Sequence, residues 1–208
     1  MSDPARLMRF ILELRQAGVT EARVLGAMER TPREAYAPAH LSDLAYDDIA
    51  LPLAHGQSMT KPSVVGRMVS ALDVQEGCAV LEIGAGSGYQ AAVLSQMARR
   101  VITLDRWREL AADARMRFGT ARLMQAQAHQ SDGAEGWADE APYDRIIINA
   151  AIAAPPAALL AQLTPGGVLV APLGAGETQR LTRWRGGAEE DLGPVKFQPL
   201  EEGLGEET

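Results

Sequence analysis

Three glycines, Gly84, Gly86 and Gly88, stand on alternate positions in VLEIGAGSGYQ, directly after an apolar run that carries Glu82. A chain bare of side chains at the mouth of a strand turns sharply and brings backbone amides close to a ligand. A second apolar run, Val101 to Leu104, ends in Asp105, where a carboxylate can accept from both hydroxyls of a ribose. Asp132, in Ser131-Asp132-Gly133, follows a third run and could accept from an adenine amino group. Each has an ordinary reading too: a tight turn, a helix cap before Trp107, a turn residue. Their order on successive strand ends is what points to an adenosine site. An acid at Asp105 argues against a 2′-phosphate but not against NAD. The dinucleotide fingerprint G-x-G-x-x-G, however, needs a glycine where this chain has Tyr89, and the spacing G-x-G-x-G after an acid is the form associated with S-adenosylmethionine.

These residues need a scaffold that brings strand ends together. The apolar periodicity predicts strands over 78–83, 101–105, 122–127, 144–149 and 167–172, with helices over 62–73, 88–99, 107–118 and 156–163. Strands alternating with helices imply a parallel sheet covered on both faces, and two closing strands, 179–185 and 194–200, imply an antiparallel edge. The expected fold is therefore α/β, a doubly wound, mostly parallel seven-stranded sheet. Ahead of it the pattern predicts an N-terminal helical extension: a first helix capped by Asp3, opened by Pro4 and stopped by Gly18, a second over 21–30 capped by Thr20, a short third near Pro32, and a loop-rich stretch from Tyr46 to Pro62. One domain over 1–208 is expected, with residues 1–61 supplying helices and a site loop and 62–208 the cofactor core.

Composition narrows the partners. Of 208 residues 47% are hydrophobic and 23% charged, and 27 acids against 20 Lys and Arg give a net charge of −7. No basic face for nucleic acid or an anionic membrane is expected from that balance. Cys78 is the only cysteine, so no internal disulfide forms and a reducing cytoplasm is the expected compartment. The uncharged stretch from Ile146 to Gly176 is broken by Asn149, Pro155-Pro156 and Thr164-Pro165-Gly166-Gly167, which reads as buried α/β core rather than a membrane span. His40, His55 and His129 are too widely spaced to suggest a metal site.

With these motifs in hand, a family resemblance emerges. The block Tyr46-Asp47-Asp48-Ile49-Ala50-Leu51-Pro52-Leu53-Ala54-His55-Gly56-Gln57-Ser58-Met59-Thr60-Lys61-Pro62, with VLEIGAGSGYQAAVL, Asp132-Gly133 before Gly136-Trp137, Asn149-Ala150-Ala151 and LTPGGVLVAPLG, resembles the protein-L-isoaspartate O-methyltransferases over nearly the whole chain. The resemblance implies a Rossmann-like domain that uses S-adenosylmethionine, releases S-adenosylhomocysteine and needs no metal. Its substrates would be isoaspartyl residues of damaged proteins, and a monomer is expected. The implied cofactor contacts are Glu82, Gly84, Ala85, Gly86, Ser87, Gly88, Asp105, Arg106, Asp132, Gly133 and Asn149. Glu82 and the turn amides would hold the amino-acid head group.

The same resemblance makes Thr60 the expected catalytic residue, with Ser58, Lys61 and Gln198 toward the substrate. Here the chain departs from the family pattern. A serine is usual at Thr60, threonine at Ser58, glutamine or alanine at Lys61, proline at Ala153 and valine at Gln198. Ser58 is also a candidate cap for the following helix, and Lys61 a solvated loop lysine. The departures fall on the substrate side, so a relative whose acceptor has drifted to another carboxylate, or one that holds the cofactor with little turnover, is the second reading.

Overall fold

The computed structural model describes residues 4–205. Helix α1 (Pro4–Gln16) starts on its proline and buries Phe10 and Leu14; the expected cap Asp3 lies outside the described residues. Helix α2 (Ala22–Arg30) buries Val24, Leu25, Ala27 and Met28. Thr20 does not cap it: Glu21 holds the N-cap position and makes no side-chain capping bond. Two short 3-10 turns, Arg33–Ala35 and Ala39–Leu44, lead to a miniature antiparallel pair, β1 (Leu51–Pro52) and β2 (Ser58–Met59), in which Leu51 faces Met59.

Helix α3 (Pro62–Leu72) is buried along almost its whole length. The main sheet then alternates with helices: β3 (Ala79–Ile83), α4 (Tyr89–Ser95), β4 (Arg100–Asp105), α5 (Arg108–Ala121), β5 (Ala126–Gln130), β6 (Tyr143–Ile148), α6 (Ala157–Ala161), β7 (Leu163–Leu173), β8 (Arg180–Arg185) and β9 (Ala188–Pro194). Its order is β5-β4-β3-β6-β7-β8-β9. The first five are parallel, and β8 and β9 close the edge antiparallel. Alternate residues of one strand feed opposite cores: Val80 packs with α1, α2, α3 and α4, while Leu81 and Ile83 pack with Ile146, Ile148 and Leu159. A strand buried on both faces has no polar face to alternate, which is why β3, Glu82 apart, and the Ile146–Ile148 half of β6 read as apolar runs.

Two expected strands move. The third lies at Ala126–Gln130 rather than 122–127, because α5 continues past Gly119 to Ala121 and ends on Arg122 at φ +55. The seventh lies at Ala188–Pro194 rather than 194–200. Gly186 and Gly187, at φ +58 and +84, form a tight hairpin turn, which pairs Arg183 with Glu190 and Trp184 with Glu189 across β8 and β9. Residues 195–200 run on beyond β9 and meet the stretch after β6 through an isolated Ala151–Pro199 bridge.

Candidate active site

The strand order reverses between β3 and β6, and a crevice opens there beyond the carboxyl ends of β3, β4 and β6, where such sheets bind ligands. A cavity of about 670 Å³ fills it, floored by Gly84, Ala85, Gly86, Ser87, Asp105 and Asn149. Ser58, Thr60 and Lys61 wall one side and Pro194 to Gln198 the other. Gly84 sits at φ +88, and a Cβ there would come within 3.2 Å of the Asn149 Cβ. An ordinary residue would therefore strain the turn and crowd the neighbouring strand end.

Asp105 is 7% exposed and binds the glycine turn directly. Its Oδ2 accepts from Gly86 N at 2.9 Å and its Oδ1 from Trp107 N at 3.0 Å. Burial raises its pKa, and those amides oppose the rise. A carboxylate has roughly four lone-pair sites, so acceptor capacity remains toward the cavity.

Glu82 is fully buried and stands beneath the cavity wall, not on it. Its Oε2 accepts from Thr103 Oγ1 at 2.5 Å, and its Oε1 accepts from Gln90 Nε2 at 3.0 Å and Asn149 Nδ2 at 3.1 Å. Burial pushes its pKa up to about 7 despite these donors. Asn149 also donates to Gly84 O at 2.9 Å and accepts from Gln90 Nε2 at 2.8 Å. The acid thus orients two amide side chains that do line the cavity. Gln90 Oε1 is buried with no donor, a vacant acceptor suited to an ammonium group. Together with the glycine cradle and Asp105, it makes the floor fit an aminoacyl-adenosine cofactor.

The structure divides the expected contacts. Gly84, Ala85, Gly86, Ser87, Asp105 and Asn149 come together on the floor, whereas Glu82, Gly88, Arg106, Asp132 and Gly133 do not reach the cavity wall. Over Arg106 and Asp132 lies the segment 201–205. Arg106 binds the Glu201 carboxylate, Asp132 Oδ2 accepts from Gly203 N at 2.7 Å, and Gly205 N donates to Arg106 O at 3.0 Å. Asp132 Oδ1 accepts from Ala134 N at 3.0 Å.

Thr60, Ser58, Lys61 and Gln198 all line the cavity, though they come from segments about 140 residues apart. Ser58 pairs with Pro52 across β1 and β2 and does not cap α3; Asp48 binds the first turn instead, accepting from Ser63 N at 2.8 Å and Ser63 Oγ at 2.7 Å. Lys61 lies 3.7 Å from Asp48, and Gln198 Nε2 donates to Gly56 O at 2.8 Å. His55 stacks on Trp107 with ring centroids 4.1 Å apart and binds Glu109 at 3.0 Å, tying the Gly56 loop to the start of α5. Gln90 and Arg67 also line the cavity without having been singled out from the sequence. Gln90 stood inside the glycine motif and could have been found by its place on the first turn of the helix; Arg67, a helix residue with no motif around it, gave no such signal.

Fold and site together place the chain among the S-adenosylmethionine-dependent methyltransferases. Within that class it belongs to the protein-L-isoaspartate(D-aspartate) O-methyltransferase family, whose model matches residues 5–202. The chain is 48% identical to a protein-L-isoaspartate O-methyltransferase of Rhodospirillum centenum, covering 96% of this chain and 93% of that one. It is 49% identical to one of Cereibacter sphaeroides, covering 98% and 95%. A solved protein-L-isoaspartate O-methyltransferase superposes with a TM-score of 0.84 at 22% identity, covering 96% of this chain and 67% of that one. A Plasmodium falciparum structure described as a putative enzyme of the same kind, in complex with S-adenosyl-L-homocysteine, does so with 0.79 at 20%, covering 93% and 97%. At that identity the two structures speak for the fold.

Proposed function

We propose that this cavity is where the protein methylates the free carboxyl of L-isoaspartyl residues, with Thr60 at the reacting groups. The observation that supports the reading is the meeting, in one cavity, of the glycine turn and Asp105 with Thr60, Ser58, Lys61 and Gln198. When bound, S-adenosylmethionine supplies an electrophilic methyl group whose bonding electrons stay on sulfur as the carboxylate oxygen takes it. An isoaspartyl carboxyl is an α-carboxyl, with an ordinary pKa of about 3.3 to 3.7, so it is ionised at neutral pH and no general base is required. The residues of the chain then have three tasks.

Asp105 holds the ribose, and Gln90 and Asn149, aligned by Glu82, hold the amino-acid end. Thr60 aims the acceptor: its hydroxyl makes no hydrogen bond among the described residues and so is available to it. The apolar walls at Met59, Val64 and Val65 keep water from the space between. Holding two partners in register is worth roughly 7 to 11 kcal/mol in the best intramolecular cases, sufficient for a reaction that moves no proton. The Lys61–Asp48 and Gln198–Gly56 contacts occupy two of the five departures with this chain's own groups, which favours the family's acceptor over a drifted one.

The deciding experiment offers the protein an isoaspartyl peptide and its normal aspartyl twin. Methyl transfer to the first alone is the expected result. A protein that binds S-adenosylhomocysteine yet methylates neither, or both equally, refutes the acceptor assignment.

A further inference from the structure

Arg33 opens the 3-10 turn Arg33–Ala35 and is 0% exposed. Its Nη2 donates to the Thr60 carbonyl at 2.9 Å, and its guanidinium carbon lies 4.8 Å from the centroid of the Tyr89 ring. It makes no ion pair among the described residues, and its Nε and Nη1 are buried without partners. Burial pushes the guanidinium down to about 10, with Tyr89, Asp48 and Tyr46 pulling it back up, so it is charged at neutral pH. A buried cation lacking a close counter-ion is expensive, and an apolar side chain of the same length would fill the space without that penalty.

The neighbouring acids are committed elsewhere. Asp48 serves Ser63 and Lys61, and the Glu34 carboxylate accepts from the Tyr46 hydroxyl. Around Thr60, then, the cations Arg33 and Lys61 stand with the carboxylate Asp48, while Glu34 is bonded to Tyr46 and Asp105 to the glycine turn. Arg33 does not itself reach the cavity; Thr60 and Tyr89, which both line it, lie between.

We propose that Arg33 is a positioning and specificity-determining residue of the acceptor side, fixing the main chain of Thr60 from beneath and lending the cavity a positive field that selects an ionised carboxylate over a neutral carboxamide. The proposal rests on the reading of the cavity as a carboxyl-methylating site. A charge roughly 8 to 10 Å away in a partly buried setting changes affinity for a second charge by about tenfold or more. The field acts on which acceptor binds, while the hydrogen bond to Thr60 acts on how it is aimed.

The test is calorimetric binding of an isoaspartyl peptide, and of the same peptide with that carboxyl replaced by a carboxamide, to protein saturated with S-adenosylhomocysteine. Wild type should prefer the carboxylate by about tenfold or more. Arg33→Met and Arg33→Gln should bring the preference below about threefold while affinity for S-adenosylhomocysteine stays within about twofold. Arg33→Lys should keep the preference but lower kcat, because lysine cannot both lie on Tyr89 and reach Thr60. An undiminished preference in a folded neutral variant overturns the proposal and leaves the acceptor assignment standing. A wild type that holds the cofactor product and prefers neither peptide overturns both. If neither neutral variant folds, the double variant Asp48→Asn, Lys61→Met leaves Arg33 as the sole charge of the three beside Thr60. A retained preference then supports the proposal, and a lost one assigns the selectivity to Lys61 and overturns it.

Discussion

The floor of the cavity and its rim are built by different physics. In the floor and just beneath it, Glu82, Gln90, Asn149, Thr103 and Asp105 are linked by hydrogen bonds to one another or to the glycine turn, and four of the five are less than one-tenth exposed. On the rim, Ser58 and Gln198 are exposed, Lys61 is half-exposed, and the segments carrying them are tied together by single contacts such as Gln198 to Gly56. A floor fixed by strand ends is preorganised before anything binds, whereas a rim carried on loops can change its acceptor without disturbing the cofactor. The departures from the family pattern at Thr60, Lys61 and Gln198 all fall on the rim.

The hardest test of this division is Thr60. Thr60→Val, nearly equal in shape, should slow single-turnover methylation of an isoaspartyl peptide about tenfold to a thousandfold, as loss of a hydrogen bond at a reacting centre does. Affinity for S-adenosylhomocysteine and the melting temperature should hardly move, and Thr60→Ser should remain active. If Thr60→Val weakens the cofactor product as strongly as it slows transfer, rim and floor are not separable.

Asp105→Ala probes the floor in the opposite sense. It removes charge-assisted hydrogen bonds to the ligand and the acceptor that anchors Gly86, so binding of S-adenosylhomocysteine should weaken by roughly 1.5 to 3 kcal/mol. Calorimetry reads this directly, and an unchanged affinity would place the ribose away from Asp105.

Glu82 sharpens the comparison by separating support from contact. Its pKa rises from 4.5 to about 7 on folding, so the native protein binds more protons than the unfolded chain between those values. Stability from this group is therefore full below about pH 4.5 and falls as pH climbs toward 7, by up to roughly 3 kcal/mol. Gln fits the same network, since its amide can donate to Thr103 while its oxygen accepts from Gln90 and Asn149. Glu82→Gln should flatten the decline of melting temperature between pH 5 and 7 and change affinity for S-adenosylhomocysteine by less than about threefold. An affinity loss matching that of Asp105→Ala would mean Glu82 touches the ligand after all.

The floor was largely legible in the sequence because each part announces itself within a few residues: an apolar strand, a glycine spacing that no ordinary helix tolerates, an acid at a strand end. What local patterns could not show was direction. Glu82 reads as a ligand contact, yet the side-chain alternation of β3 turns it into the core below the wall. Asp132 follows a strand as its place in the sequence suggests, but the cover of Asp132 and Arg106 by 201–205 is a long-range pairing with no periodic signature. The β8–β9 hairpin was half visible: Gly186-Gly187 is a turn signal, but AEED has the look of a solvated loop until Arg183 and Arg180 stand across from it. The rim was legible only through family resemblance, since nothing in the spacing of Thr60 and Gln198 brings them together.

The smallest effect is expected at Gln198, and it carries the comparison's finest distinction. Its side chain is exposed and gives one hydrogen bond, to Gly56 O, while its backbone carbonyl accepts from Ala151 N at 2.8 Å and fixes the strand segment independently of the side chain. Gln198→Val therefore leaves the segment in place and releases only the tie to the Gly56 loop. Net contributions of exposed neutral hydrogen bonds are about 0.5 to 1.5 kcal/mol at most. Here the loop is also held by His55 against Trp107 and Glu109, so part of that is retained. KM for an isoaspartyl peptide should shift by no more than about threefold, with kcat and S-adenosylhomocysteine affinity unchanged. A tenfold change in KM would make Gln198 a direct substrate contact; a change in cofactor affinity would show that the loop, through His55 and Trp107, reaches the floor at Asp105.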